Sequence, residues 1–260
     1  MRFDWYAASL PAQVSHCVSM ITADHGGFFA QDVPRAPYKV AVRHSECGFR
    51  LSHGGCNPLP FFEASGASAQ AGAAFVRKHY PAHRVARADV CQDFLAPGGY
   101  DRLKRLLLPL AREARVKPIE YSDPDPALGD GRTLYLGSPR SDVRLTIYEK
   151  GRFERSKGAD VPADWVRVEL RVRPRKQRKG LVSGMEPVEL FGLARWTIKA
   201  CEVVVGHAPE YVPDPSLRRC STEESVRHMV QQYSGKLRAY VDLYGRKSLD
   251  QLLTEYLADE

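Results

Sequence analysis

Three stretches of this chain alternate charged with apolar residues at a period of two, the repeat of a half-buried strand. In 87–94 the odd positions are Arg87, Asp89, Cys91 and Asp93, and the even ones Ala88, Val90, Gln92 and Phe94. In 166–173 Arg167, Glu169, Arg171 and Arg173 alternate with Val166, Val168, Leu170 and Val172. In 143–150 one face carries Arg144, Thr146, Tyr148 and Lys150. A sheet built from these strands is apolar on one side. Its other side carries carboxylates, arginines and a tyrosine.

Around these strands the pattern predicts further elements. Apolar runs at 3–10 and 14–22 read as strands, and 38–44 alternates, with Cys47, Phe49 and Leu51 continuing it until Gly54 and Gly55 end it. Ala-rich 65–80 reads as a helix. So does 100–117, where Leu103, Leu106, Leu107, Leu110 and Ala114 recur at helical spacing around a kinking Pro109. Residues 122–132 read as an exposed loop, 133–137 with 143–150 as a hairpin, and 151–164 as a charged loop. From 186 the chain turns helical. Ser221 and Glu224 form a capping box for one late helix, and Ser248 with Gln251 caps another. Strands adjacent in sequence, mixed with helices, predict an α+β fold with an antiparallel-rich central sheet flanked by helices. The boundary before a helical C-terminal extension is expected at 208/209.

The 260 residues are enough for one large domain with an appended element. Hydrophobic content of 43% with 27% charged residues excludes a disordered chain. A formal net charge of +7 favours a polyanionic partner. The basic run Arg173, Arg175, Lys176, Arg178 and Lys179 contains no acid and follows the Glu169 strand, so it suits phosphate contacts. A solvated charge run is the plainer alternative. The six cysteines show no C-x-x-C spacing, which argues against a zinc ribbon and for free thiols in a reducing compartment. No transmembrane segment or leader is expected. Nucleotide-cradling glycine motifs are absent.

Asp89, Asp93 and Glu169 are candidate ligands for Mg²⁺ or Mn²⁺, since all-oxygen sites suit hard cations. Asp89 and Asp93 lie about 13 Å apart along a straight strand. One ion cannot bridge them unless the strand bends, and simple pairing with Arg87, Arg167 or Arg171 is the alternative. Tyr148 shares its face with Arg144 and Lys150, cations that would favour a phenolate. Strand packing is the other reading of one Tyr among twelve.

Four elements resemble the replication initiation factor family. They are Thr133-Leu134-Tyr135-Leu136-Gly137-Ser138 with Ser141-Asp142, then Ile147-Tyr148-Glu149-Lys150-Gly151, then Trp165 to Leu170, and the Arg87-Ala88-Asp89 to Asp93 strand. Asp4-Trp5 resembles the family's first strand. These proteins are rolling-circle replication initiators of filamentous phages and small plasmids, with related relaxases. The resemblance implies an HUH-like catalytic domain (1–208) in which carboxylates replace paired histidines. It implies Tyr148 as the nucleophile that nicks one DNA strand and stays joined to the 5′ phosphate, leaving a 3′ hydroxyl primer and permitting rejoining. Lys150 and Arg144 would assist the phosphate, and Asp89, Asp93 and Glu169 would hold the metal. Arg87, Arg167, Arg171 and the basic run would contact DNA. Thr146 and Glu149 depart from the family's usual Arg and Asp. Implied partners are origin DNA, single-stranded or supercoiled, a host helicase and polymerase, and a second copy, all in a bacterial cytoplasm. A mobile-element relaxase, a non-catalytic DNA-binding regulator and a water-using metal nuclease are the competing functions.

Overall fold

The computed structural model describes residues 1–122, 129–215 and 222–257. The strands are β1 Arg2–Ser9, β2 Phe29–Asp32, β3 Val40–His44, β4 Arg50–His53, β5 Phe61–Ser65, β6 Arg84–Leu95, β7 Pro118–Tyr121, β8 Thr133–Leu136, β9 Val143–Tyr148 and β10 Trp165–Val172. They form one ten-stranded sheet in the order β2-β3-β4-β5-β1-β6-β10-β9-β8-β7. Every paired neighbour runs antiparallel. The α+β class and antiparallel sheet expected from the alternation are therefore present. The three charged-faced strands are the adjacent β6, β10 and β9.

The helices are α1 Val14–His25, α2 Ala69–His79, α3 Gly99–Glu113, α4 Lys150–Arg155, α5 Arg178–Leu181, α6 Arg195–Val205, α7 Thr222–Tyr244 and α8 Arg246–Leu257. α2 packs on β1 and β5, and α3 packs on β8, β9 and β10 and on α6. Between helices and sheet lie Phe62, Val76, Val90, Leu107, Leu145, Ile147 and Leu170, all at most 1% exposed. Burying each such side chain is worth roughly 1.5–3 kcal/mol. Gly72 lets α2 approach: a Cβ there would stand 2.4 Å from the Ala64 Cβ on β5.

Four local expectations change. Residues 14–22 lie in α1 because Cys17 and Ile21, four apart, are its buried positions; so short an apolar run carries no decisive period. The loop expected at 151–164 contains most of α4, seated where Gly151 lies against Pro162. α3 keeps Pro109 inside it, as expected, but ends at Glu113 rather than 117, because Arg115 takes a left-handed φ of 56°. Ser248 is inside α8 and donates to the Tyr244 carbonyl at 2.8 Å, so it does not cap that helix. The Ser221 capping box and residues 123–128 of the expected loop lie outside the described residues.

The chain divides into two compact units, Met1–Ser216 and Leu217–Glu260. In the second, α7 continues through Gly235 and packs on α8. No described helix is long and apolar enough to cross a membrane.

Candidate active site on the charged sheet face

Register fixes the site. On β10, Arg167 pairs with Asp93 of β6 and Tyr148 of β9; Glu169 pairs with Cys91 and Thr146; Arg171 pairs with Asp89 and Arg144. Directly opposed residues share a face, so these residues form a grid on the side away from α2 and α3. β1 borders the grid, with Trp5 opposite Asp89.

Two arginine–carboxylate clusters cover much of the grid. Arg167 is 4% exposed and donates to Asp93 through Nε (2.7 Å) and a terminal nitrogen (3.0 Å), and to Asp4 at 3.0 Å. Trp165 Nε1 (2.9 Å) and Arg2 (3.1 Å) also donate to Asp93. Burial by itself would raise the Asp93 carboxyl, but the Arg167 and Trp165 hydrogen bonds outweigh it and hold the group below its ordinary range. The second cluster joins Asp89, 1% exposed, to Arg87 and to Arg171 at 3.1 Å; Arg171 also reaches Glu169 at 3.2 Å. Arg87 lies 4.3 Å from the Trp5 ring centre. Asp89 and Asp93 thus occupy separate clusters with separate cations, as their strand spacing requires.

Glu169 is the exception among these carboxylates. Burial and the neighbouring Asp89 charge push it well above the ordinary carboxylate range, and Arg171 only partly offsets them. Asp89 and Glu169 share Arg171, while Asp89 alone also holds Arg87. Among the described residues, no three His, Cys, Asp or Glu side chains are gathered as a ready metal-ligand set. The hard oxygen donors of Asp89 and Glu169 suit a divalent cation. With Arg87 and Arg171 holding Asp89, only part of such a ligand set is in place.

Tyr148 ends β9 one row from Glu169. Its phenol is pushed above its ordinary value by burial first and by the Glu169 charge next, with Arg167 working in the opposite direction. The hydroxyl therefore rests protonated at neutral pH. Lys150 opens α4 with its Nζ 5.9 Å from the Tyr148 ring centre, pairs with Glu154, and lies 5.8 Å from the Trp165 ring. Arg144 is two rows away from Tyr148, with its guanidinium 3.8 Å from the Tyr135 ring centre. Burial lowers its pKa, and its Nε is buried without a hydrogen-bond partner.

The basic run leaves the far end of β10. Arg173, Arg175, Lys176 and Lys179 line a shallow cavity of about 530 Å³ with Arg140 from the β8–β9 turn. Arg175 is 68% exposed despite its 2.8 Å contact with Asp142. Arg178 points elsewhere, to Asp214 at 3.3 Å. Arg167, grouped by sequence with the DNA-contacting arginines, is buried beneath the face and holds Asp4 and Asp93 in place.

Several residues of the site carried no sequence assignment. Asp4 sits at a β-bulge, since Phe3 pairs with Val90 and Trp5 with the next residue, Asp89. Its signal was available: Phe3 and Tyr6 are buried and the two residues between them are polar or amphipathic, a spacing no regular strand produces. Trp165 and Tyr135 stood in the resembling motifs without a role, and Arg2 gave no signal; the cross-strand register brings them beside Asp93 and Arg144. Glu149 points away from the site. Burial would raise its carboxyl, but Arg132 outweighs this, donating from its side chain and, at 2.8 Å, from its backbone N–H. Arg132 also binds Asp101 and stacks on Tyr100, which anchors the loop entering β8.

Residues 112–183 match the model of the family described as replication initiation factor. That segment contains β9, α4, β10 and the basic run. No curated protein sequence matches the chain. Among solved structures, the fold is similar to the rolling circle replication initiator protein from Geobacillus stearothermophilus, with a TM-score of 0.53 and 17% identity, covering 81% of this chain and 97% of that one. The matched segment contains Tyr135, Tyr148 and the Trp165–Leu170 strand, from which the resemblance was read, and the solved structure is similar in fold.

Proposed function

We propose that this protein initiates rolling-circle replication by nicking one strand of origin DNA with Tyr148. The observation that carries the reading is the position of Tyr148 beside Arg167 and Glu169 on the charged face, inside the segment that matches the replication initiation factor family. The Tyr148 oxygen attacks the scissile phosphorus and a phosphotyrosine ester forms. The bond from phosphorus to the 3′ oxygen breaks, the phenol gives up its proton, and one proton is returned to the 3′ oxygen to make the primer hydroxyl. One ester replaces another, so the step reverses and the strand can be rejoined. Lys150 stabilises charge on the phosphate and Arg167 orients the tyrosine through the Asp4–Asp93 cluster. Glu169 and Asp89 are the residues that would hold Mg²⁺ or Mn²⁺, which would polarise the phosphate.

The test mixes the full chain with Mn²⁺ or Mg²⁺ and single-stranded DNA tiled across its own gene and flanks, followed by a denaturing gel. A covalent protein–DNA band that disappears in Tyr148→Phe is expected. Cleavage without an adduct, persisting in Tyr148→Phe, would assign the chemistry to water. Salt-sensitive binding with neither product, on supercoiled DNA as well, would make the chain a DNA-binding regulator.

A further inference from the structure

Beyond the nicking centre, the same face continues along β9 into two features that the chemistry above does not use. The first is aromatic. Tyr135 of β8 opposes Thr146 and lies on the Tyr148 side of the sheet. Its ring carries Arg144 at 3.8 Å and meets Tyr121 edge-on at 5.8 Å between centres. Tyr121, at the edge of the sheet, is 62% exposed. The second is the basic cavity of Arg140, Arg173, Arg175, Lys176 and Lys179, which no acidic side chain lines. Arg173 lies one residue past β10, two after Arg171, and its N–H donates to the Asp142 carbonyl at 2.7 Å, so the cavity mouth lies six residues along the chain from Arg167 in the Tyr148 row. That is about 20 Å along the sheet.

We propose that Tyr121, Tyr135 and Arg144 form a base-stacking platform for single-stranded DNA whose backbone continues into the Arg173–Lys179 cavity. The proposal rests on the reading that this face binds DNA. Aromatic rings and a guanidinium plane accept any base face, and a neighbouring cationic groove follows the phosphates. Duplex DNA cannot use the platform, because its bases are already stacked on one another. The 20 Å path corresponds to about six nucleotides at stacked spacing. The platform would therefore hold a base flanking the scissile phosphate and select unpaired DNA.

The probe is a thymidine 20-mer carrying one 2-aminopurine, and its blunt duplex, titrated with the full chain without divalent metal so that no cleavage occurs. Quenching of 2-aminopurine on binding is expected in the single strand. Tyr121→Ala and Tyr135→Ala should each weaken single-strand binding by about fivefold or more, Tyr135→Phe should not, and duplex binding should be unchanged. Lys176→Ala with Lys179→Ala should lower the salt slope on single strands by about 0.7 per lost phosphate contact. Unquenched fluorescence at saturation, or equal weakening on single strand and duplex, would overturn the platform. Covalent chemistry by Tyr148 is read separately: absence of an adduct with the stacking signal intact removes the nicking reading alone.

Discussion

At the scale of single residues, burial and neighbouring charge act together on the ionisable groups. Tyr148 and Glu169 are displaced upward by burial together with neighbouring negative charge, as is Tyr100 beside Glu120 in the scaffold. Asp93 and Glu149 are displaced downward because arginine hydrogen bonds overcome the same burial. The two classes predict different behaviour in acid. A carboxyl whose folded pKa is depressed contributes stability that is complete above its unfolded value, near 4.3 for Glu, and lost as pH falls through the folded value. Glu149→Gln should therefore lower the melting temperature at pH 7, and its gap from the parent chain should narrow as pH falls below about 4.3, followed by circular dichroism across pH. If the gap stayed constant over the whole acid range in which the parent chain remains folded, the Arg132–Glu149 pair would not be the source.

At the scale of elements, glycines set how α4 and α2 are seated. A Cβ on Gly151 would stand 1.9 Å from the Pro162 carbonyl oxygen, a backbone atom that cannot swing aside. Gly151→Ala must then shift the first turn of α4, and with it Lys150. Adduct formation by Gly151→Ala is expected to fall tenfold or more, on the same gel that tests Tyr148, while binding to single-stranded DNA holds. Gly72→Ala provides the contrast. It forces α2 off β5, so it should cost about 1–3 kcal/mol by the overpacking argument, read in urea denaturation, and leave the adduct yield of the folded fraction alone. Loss of adduct in the folded Gly72→Ala chain would mean that the helix layer reaches the charged face.

Across the unit Met1–Ser216, one antiparallel sheet keeps two jobs on opposite faces: α2, α3 and the core are on one, the ionic clusters and Tyr148 on the other. The alternation in 87–94, 143–150 and 166–173 determined this division by itself, because a period of two leaves no freedom over which side chains share a face. The resemblance that picked out Tyr148 was likewise legible in the chain. What tertiary structure decided is which strands are neighbours and in what register. That choice separates Asp89 from Asp93, puts Arg167 beneath the face as a clamp for Asp4 and Asp93, and brings Tyr135 beside Arg144. It also settled the short ambiguous segments, making 14–22 a helix and placing α4 beside Tyr148. The physical reason is that alternation is a local steric property of each strand, whereas pairing, bulges and ion-pair partners depend on residues tens to more than a hundred positions apart, and no single segment records them.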